Sequence, residues 1–348
     1  MNPAAIKPSD IVRTLDQYVI GQDEAKRVLA VAVHTHFRRI GMNRGGERVL
    51  DKSNILIVGP SGCGKTLLCE TLARQMSVPF VTADATSLAQ TRFVGDEIEA
   101  ILTRLVEQAD GNLEKASRGI VFIDEVDKLK ADTSGASRAT SGESVQHALL
   151  KIMEGYPVRF ADGRVMDTGG ILFICGGAFV GLEQIMSRTH GFGYIAMGEG
   201  DENDKKILER LNSRVKPTDL FEYGLIPEFT GRLPIIARIM PLDRDMLIRI
   251  MVEPKNALYR QFRVLLAEGG VQLEIAAAVF RQIADIALEY KTGARSLRGI
   301  FEELLTPVLY AVPDKPEVKV VRIRSLFDPP QFLKQREPDA QAPAEPPA

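Results

Sequence analysis

Residues 54–66 read Asn-Ile-Leu-Ile-Val-Gly-Pro-Ser-Gly-Cys-Gly-Lys-Thr, a short apolar run that ends in small residues closed by a lysine and a hydroxyl. Gly59, Gly64, Lys65 and Thr66 satisfy the spacing G-x-x-x-x-G-K-[ST] without a mismatch. Small residues let backbone N–H groups curl around phosphate oxygens, and a helix that starts there turns its positive end toward them. Lys65 is then placed to reach β/γ phosphates, and the Thr66 hydroxyl to ligate Mg²⁺. A pattern this short recurs by chance, so its surroundings decide. Ile55–Val58 reads as a strand and the residues from Leu67 to Gln75 as a helix, which is the context the motif requires. The nucleotide-binding stretch is therefore Gly59, Pro60, Ser61, Gly62, Cys63, Gly64, Lys65, Thr66 and Leu67.

A second apolar run, Ile120-Val121-Phe122-Ile123, ends in Asp124-Glu125 about 60 residues further on. In a parallel sheet both strands finish at one edge. Asp124 is expected to hold Mg²⁺ with its water shell, and Glu125 to polarise an attacking water, which makes the site hydrolytic. An Asp-Glu pair after a strand is weak evidence alone; its distance from the phosphate loop gives it weight.

Bulk properties narrow the class. The chain has 348 residues, 45% of them hydrophobic, and a formal net charge of −2, enough for two domains with cores and without the basic excess of a nucleic-acid surface. No apolar run approaches the roughly 18 residues of a membrane span, and the N-terminus lacks the apolar core of a signal peptide. The three cysteines, Cys63, Cys69 and Cys175, include no C-x-x-C pair, so neither a zinc knuckle nor a disulfide frame is expected. The cytoplasm is the expected compartment, with no membrane and no nucleic-acid partner.

Strands are expected near 55–58, 80–84, 120–124 and 171–175, alternating with helices at 65–76, 96–109 and 143–154. This alternation predicts an α/β fold, a parallel sheet covered by helices. Residues 1–17 read as an arm, 18–240 as the large α/β domain, 241–333 as a smaller, mostly helical domain, and 334–348, rich in Pro, Ala, Gln and Glu, as a disordered tail. In the smaller domain, helices are expected near 243–268, 275–290 and 295–311, then a strand at 318–324.

Seven stretches together carry a resemblance: Tyr18–Gln22, Gly59–Thr66, Ile123–Lys128, Ser141–Glu143, Ile174–Phe179, Leu225–Pro234 and Gly293–Arg298. Over about residues 9–327 the chain resembles the AAA+ family of P-loop ATPases, and within it the ClpX branch of protein unfoldases. The resemblance implies an ATP-dependent unfoldase that hydrolyses ATP with Mg²⁺, assembles as a homo-hexamer and threads protein substrates, delivering them to a ClpP-like peptidase. A stand-alone remodelling chaperone is the alternative, and a nucleic-acid motor or a small-molecule kinase a remote one. Val19 and Ile20 match the residues that hold adenine. Arg232 matches the arginine finger, acting on a neighbour's nucleotide, and Arg295 the sensor-2 arginine. Phe93, Val94 and Gly95 match the pore loop that grips the substrate, with Gly95 permitting the loop to move.

The chain also departs from that pattern. The family's four-cysteine zinc domain has no counterpart in these residues. The stretch after Glu154-Gly155, Tyr156 to Gly169, offers only Arg159 and Arg164 where the family has a basic substrate-tag loop. The peptidase-docking tripeptide, an aliphatic residue before Gly-Phe, reads His190-Gly191-Phe192. Burying an imidazole without a partner costs about 1–3 kcal/mol, so docking is expected to be weakened. Finally, Cys175-Gly176-Gly177 has no Asn or Thr to serve as a sensor-1 side chain at the end of its strand.

Overall fold

A computed structural model describes residues 3–42, 50–90, 94–130, 142–191 and 214–335. They sort into two compact units. The first comprises the residues up to Val12, Asp23–Pro60 and Lys65–Ile239; the second comprises Arg13–Gln22, Ser61–Gly64 and the chain from Met240.

The first unit is built on five strands, β1 (Ile55–Val58), β2 (Phe80–Asp84), β3 (Ile120–Asp124), β6 (Leu172–Gly177) and β7 (Ile235–Arg238), in the order β2-β3-β6-β1-β7 and all parallel. β1 and β6 are buried along their whole length, the mark of a sheet covered on both faces. Registers such as Val58 opposite Gly177 and Asp84 opposite Asp124 bring the C-terminal ends of four strands level with one another. The edge strand β7 is absent from the sequence expectation. Its four residues are too few to show a period, and pairing with β1 decides their state.

Helices α2 (Asp23–Met42), α3 (Lys65–Met76), α5 (Val94–Glu107) and α7 (Gly142–Glu154) bury leucine, isoleucine, valine and alanine in this unit. Between α7 and β6 the expected loop is an antiparallel hairpin, β4 (Pro157–Arg159) with β5 (Val165–Asp167). Arg164 is bonded within its turn, donating from Nε to Asp162 at 2.6 Å. The supposed N-terminal arm contains a helix, α1 (Pro8–Asp16), whose Ile11 and Leu15 are fully buried. Their four-residue spacing is helical, but too short a segment to stand out in the sequence.

The second unit has helices at Arg244–Val252, Leu258–Glu268, Ala277–Glu289 and Arg295–Ala311, and a three-stranded sheet of Gln272–Ile275, Val320–Ile323 and Gln331–Leu333. The helix expected over 243–268 is two helices. Pro254 lies in the break, where its ring cannot continue the ladder. Phe262, Phe280 and Phe301 sit at the centre, with Phe262 and Phe301 stacked at 6.1 Å. Among the described residues no helix is long and apolar enough to cross a membrane.

Candidate functional site

The phosphate loop leaves β1 and enters α3. Gly59 N–H donates to the Gly177 carbonyl at 3.1 Å, fastening the loop's first residue to the end of β6. A Cβ at Gly59 would lie 2.5 Å from the Ile239 carbonyl oxygen, so only glycine fits. Gly62 and Gly64 have φ of 76° and 91°, the left-handed region that glycine adopts without steric cost. Lys65 is buried, and its ammonium bends back over the loop, donating to the carbonyls of Gly59 at 2.8 Å and Pro60 at 3.1 Å. Leu67 is half-buried on α3, and Cys63, Cys69 and Cys175 are all buried free thiols. Burial and the nearby Asp124 charge push the Cys69 thiol up, and burial pushes Cys175 up to about 12, so both stay protonated.

Thr66 and Asp124, assigned to Mg²⁺ from sequence, line one cavity of about 510 Å³ together with Thr82, Asp84 and Glu97. A hydroxyl and a carboxylate facing one space are hard oxygen donors of the kind Mg²⁺ takes, with room for its waters. The Asp124 carboxylate also accepts the backbone N–H of Glu125 at 2.9 Å. Glu125 has φ of 60°, an unusual conformation for a residue with a side chain, and one that concentrates at functional sites.

Two further residues of this region were not singled out from sequence. Asp127 is buried, and its carboxylate accepts the N–H groups of Ala178 at 3.3 Å and Phe179 at 3.2 Å. Burial and the Asp127 charge together raise the pKa of the Tyr223 hydroxyl, whose ring packs on Phe179 at 5.2 Å. Gln146 on α7 is fully buried and bridges two segments, donating to the Leu129 carbonyl at 2.7 Å and accepting from Ile226 N–H at 2.8 Å. Both are polar residues at helix- or turn-compatible positions, and only burial distinguishes them from solvated ones.

Arg232 follows the short helix Pro227–Gly231 and is half exposed, its guanidinium 2.6 Å from Glu154 at the end of α7. Its carbonyl accepts from the Asn54 side chain at 3.2 Å. In the second unit, Val19 and Ile20 are buried, and the Gln22 amide clamps Met240 through two backbone bonds of 2.8 Å. The loop tip Ser61–Gly64 groups with this unit. Gly62 accepts the Ala294 N–H at 3.0 Å, one residue before exposed Arg295 opens its helix. The unit thus carries the loop tip, Val19 and Ile20, and Arg295 on one scaffold.

Other expected residues fare differently. Phe93 lies outside the described residues. Val94 is half-buried against the core, and Gly95 sits in the first turn of α5 and not in a loop. Asp96 and Glu97 favour a helix start at this point. The helix Leu182–Gly191 takes in His190 and Gly191, so the tripeptide expected to dock a peptidase begins at a helix end; Phe192 lies outside the described residues.

A parallel five-stranded sheet, a phosphate loop after its β1 and an Asp-Glu pair after its β3 define a P-loop ATPase of the AAA+ class. Comparison with known proteins agrees. Residues 50–236 match the family model described as AAA domain (Cdc48 subfamily), and residues 242–322 that of the C-terminal, D2-small domain of ClpB protein. Among curated proteins the chain is 46% identical over 339 residues to the ATP-dependent Clp protease ATP-binding subunit ClpX 3 of Methylococcus capsulatus, covering 90% of this chain and 78% of that one. It is 44% identical over 332 residues to the ClpX subunit of Bacteroides thetaiotaomicron, covering 90% and 80%, and 44% identical over 340 residues to that of Azotobacter vinelandii, covering 91% and 77%. The chain belongs to the ClpX family.

Proposed function

We propose that this ATPase is a ring-forming protein unfoldase that hands its substrates to a ClpP-like peptidase. The observation that carries its chemistry is the shared cavity of Thr66 and Asp124, reached from the same sheet edge as Lys65 and Glu125. Lys65 exchanges its two carbonyl partners for the β/γ phosphates of ATP, a stronger charge-assisted contact. Thr66 and Asp124 would hold Mg²⁺, which supplies charge neutralisation on the phosphates when bound. Glu125 takes the proton of the attacking water.

Arg232 completes the site of a neighbouring copy, which requires a closed ring; six copies follow the family. Leaving Glu154 costs little, because an ion pair between half-exposed groups is worth about 0–1 kcal/mol. Arg295 reports the nucleotide from the second unit, and Val19 and Ile20 hold its base. Phe93, Val94 and Gly95 line the pore, where Phe93 and Val94 grip the polypeptide by bulk and apolar surface. Since Val94 is already packed on the core, Phe93 supplies most of that grip. His190, Gly191 and Phe192 meet the peptidase, with weakened affinity because of the imidazole.

The test is ATP-dependent unfolding of a fluorescent protein bearing a disordered tag, with and without a ClpP-type peptidase. Fluorescence loss with peptide release only when the peptidase is added is the expected result. Loss of fluorescence in a trap assay without peptide release would replace this reading with a stand-alone remodeller. No ATP-dependent loss with any tagged substrate would remove the unfoldase reading.

A further inference from the structure

The end of β6 has no side chain to contribute at Gly176 and Gly177, yet it faces the end of β3 where Asp124 and Glu125 sit. The structure shows why. A Cβ at Gly176 would lie 2.7 Å from the Phe122 ring, and one at Gly177 would lie 2.6 Å from both Asp127 Oδ1 and the Phe179 ring. An Asn or Thr at either position would collide with its neighbours. The space is occupied instead by a carboxylate that comes from the other strand.

We infer that Asp127 is a positioning residue for ATP hydrolysis, tying the turn after β6 to the end of β3 and so holding the backbone of Glu125. This rests on the reading of Glu125 as the base. Asp127 is buried and accepts two consecutive N–H groups, those of Ala178 and Phe179. Phe179 itself has φ of 51°, so the turn that presents these two donors is unfavourable for a phenylalanine without an external anchor. On the other side, Asp127 belongs to the one-turn 3-10 helix Val126–Leu129, and Glu125 immediately before it has φ of 60°. Two left-handed residues on adjacent strand ends are therefore joined by one buried carboxylate. Neither conformation is stable by itself, and each is over-determined by the anchor.

The consequence is a division of labour. Asp127 does not touch the reacting atoms; it fixes the backbone from which Glu125 acts. Its loss therefore misplaces the base while leaving the phosphate loop intact. Asp127→Asn keeps the volume but turns an amide N–H₂ toward backbone donors, so one of the two bonds is replaced by a repulsion.

The experiment compares the wild-type chain, Asp127→Asn, Asp127→Glu and Glu125→Gln in steady-state ATPase, in binding of a fluorescent ADP analogue and in thermal melts. Asp127→Asn is expected to lower kcat about tenfold or more while changing analogue affinity by less than about twofold, with a lower melting temperature because a buried N–H loses its acceptor. Asp127→Glu, which keeps the charge but moves the carboxylate by one methylene, gives the same pattern and carries the test should Asp127→Asn fold poorly. Wild-type kcat in both variants overturns the inference. So does a fall of kcat, affinity and melting temperature in step, the sign of a purely structural residue. Full turnover in Glu125→Gln would instead remove the base assignment, and a kcat-only loss at Asp127 would still stand as coupling of the two strand ends.

Discussion

The two ends of the central sheet both bury charge, and they do opposite things with it. At the C-terminal end the charges are carboxylates and a lysine, set among left-handed residues: Asp124, Glu125, Asp127 and Lys65. At the N-terminal end three basic side chains meet one 3-10 turn, Thr168–Gly170, just before β6. Lys52 donates to the Thr168 carbonyl at 2.9 Å, Arg39 to Gly169 at 2.8 Å, and His36 contacts Gly170 at 3.0 Å. At one end the carboxylates of Asp124 and Asp127 accept backbone N–H groups, and at the other Lys52, Arg39 and His36 meet carbonyls. The difference lies in what is left over. Both ends border a cavity, but the one beside His36 and Arg39 is walled mainly by apolar surface, while Thr66 and Asp124 put a hydroxyl and a carboxylate into theirs.

That contrast warns against reading perturbed titration as function. Burial, and then the Arg39 charge, push His36 down to about 3; burial and Arg39 also push Lys52 down to about 7, against the pull of Asp167. Such values are a common mark of active sites, but structural networks produce them too. Here burial and the neighbouring Arg39 charge account for them, and the His36 bond to Gly170 pulls the other way. Lys52 further lies 4.7 Å over the Phe173 ring, another contact that holds it in place.

Three perturbations sharpen the comparison. The largest effect is expected at the C-terminal end. Glu125→Gln should lower ATP turnover by about 100-fold or more, the usual contribution of a general base, while nucleotide binding persists. Stopped-flow phosphate release with a parallel binding titration reads both; unaltered turnover would remove Glu125 from the mechanism. At the other end, Arg39→Met takes the donor from the half-buried Gly169 carbonyl, which should cost about 0.5–1.5 kcal/mol of stability. ATPase per folded molecule should stay unchanged, so urea unfolding and turnover must diverge. A kcat loss without a stability loss would break the distinction between the two ends.

The smallest effect is in the pH dependence of stability. The unfolded Lys52 holds its proton up to roughly pH 10, the folded one only to about 7, so the unfolded state binds more protons between these values. Stability should therefore rise with pH across that window, by at most about 1.4 kcal/mol per unit for a single proton. His36 works in the acid window: stability present above about pH 6.5 is lost as pH falls toward 3. Melts of Lys52→Met should lose the alkaline slope and keep the acid one; an unchanged alkaline slope would show that Lys52 does not titrate there.

The phosphate loop and the Asp-Glu pair were legible in the sequence because their chemistry demands particular residues at fixed local spacing. Four of the five strands were legible for a related reason: runs such as Ile-Leu-Ile-Val are buried on both faces and leave continuous apolar stretches. Local information could not show Asp127 as an anchor, since a carboxylate two residues past the pair reads as solvated. Nor could it separate Lys52 from any surface lysine, or show that Ile235–Arg238 forms an edge strand.

By itself, then, the sequence determined the class of fold and that the chain is an ATPase. Tertiary structure decided which polar groups are removed from water, and against what. Gly176 and Gly177 exclude side chains because β3, its turn and the Phe179 ring lie against them, and Asp127 and Gln146 gain partners from segments 51 and 80 residues away. The physical reason is that burial and long-range hydrogen bonds depend on how strands stack, whereas a phosphate loop is written in consecutive residues.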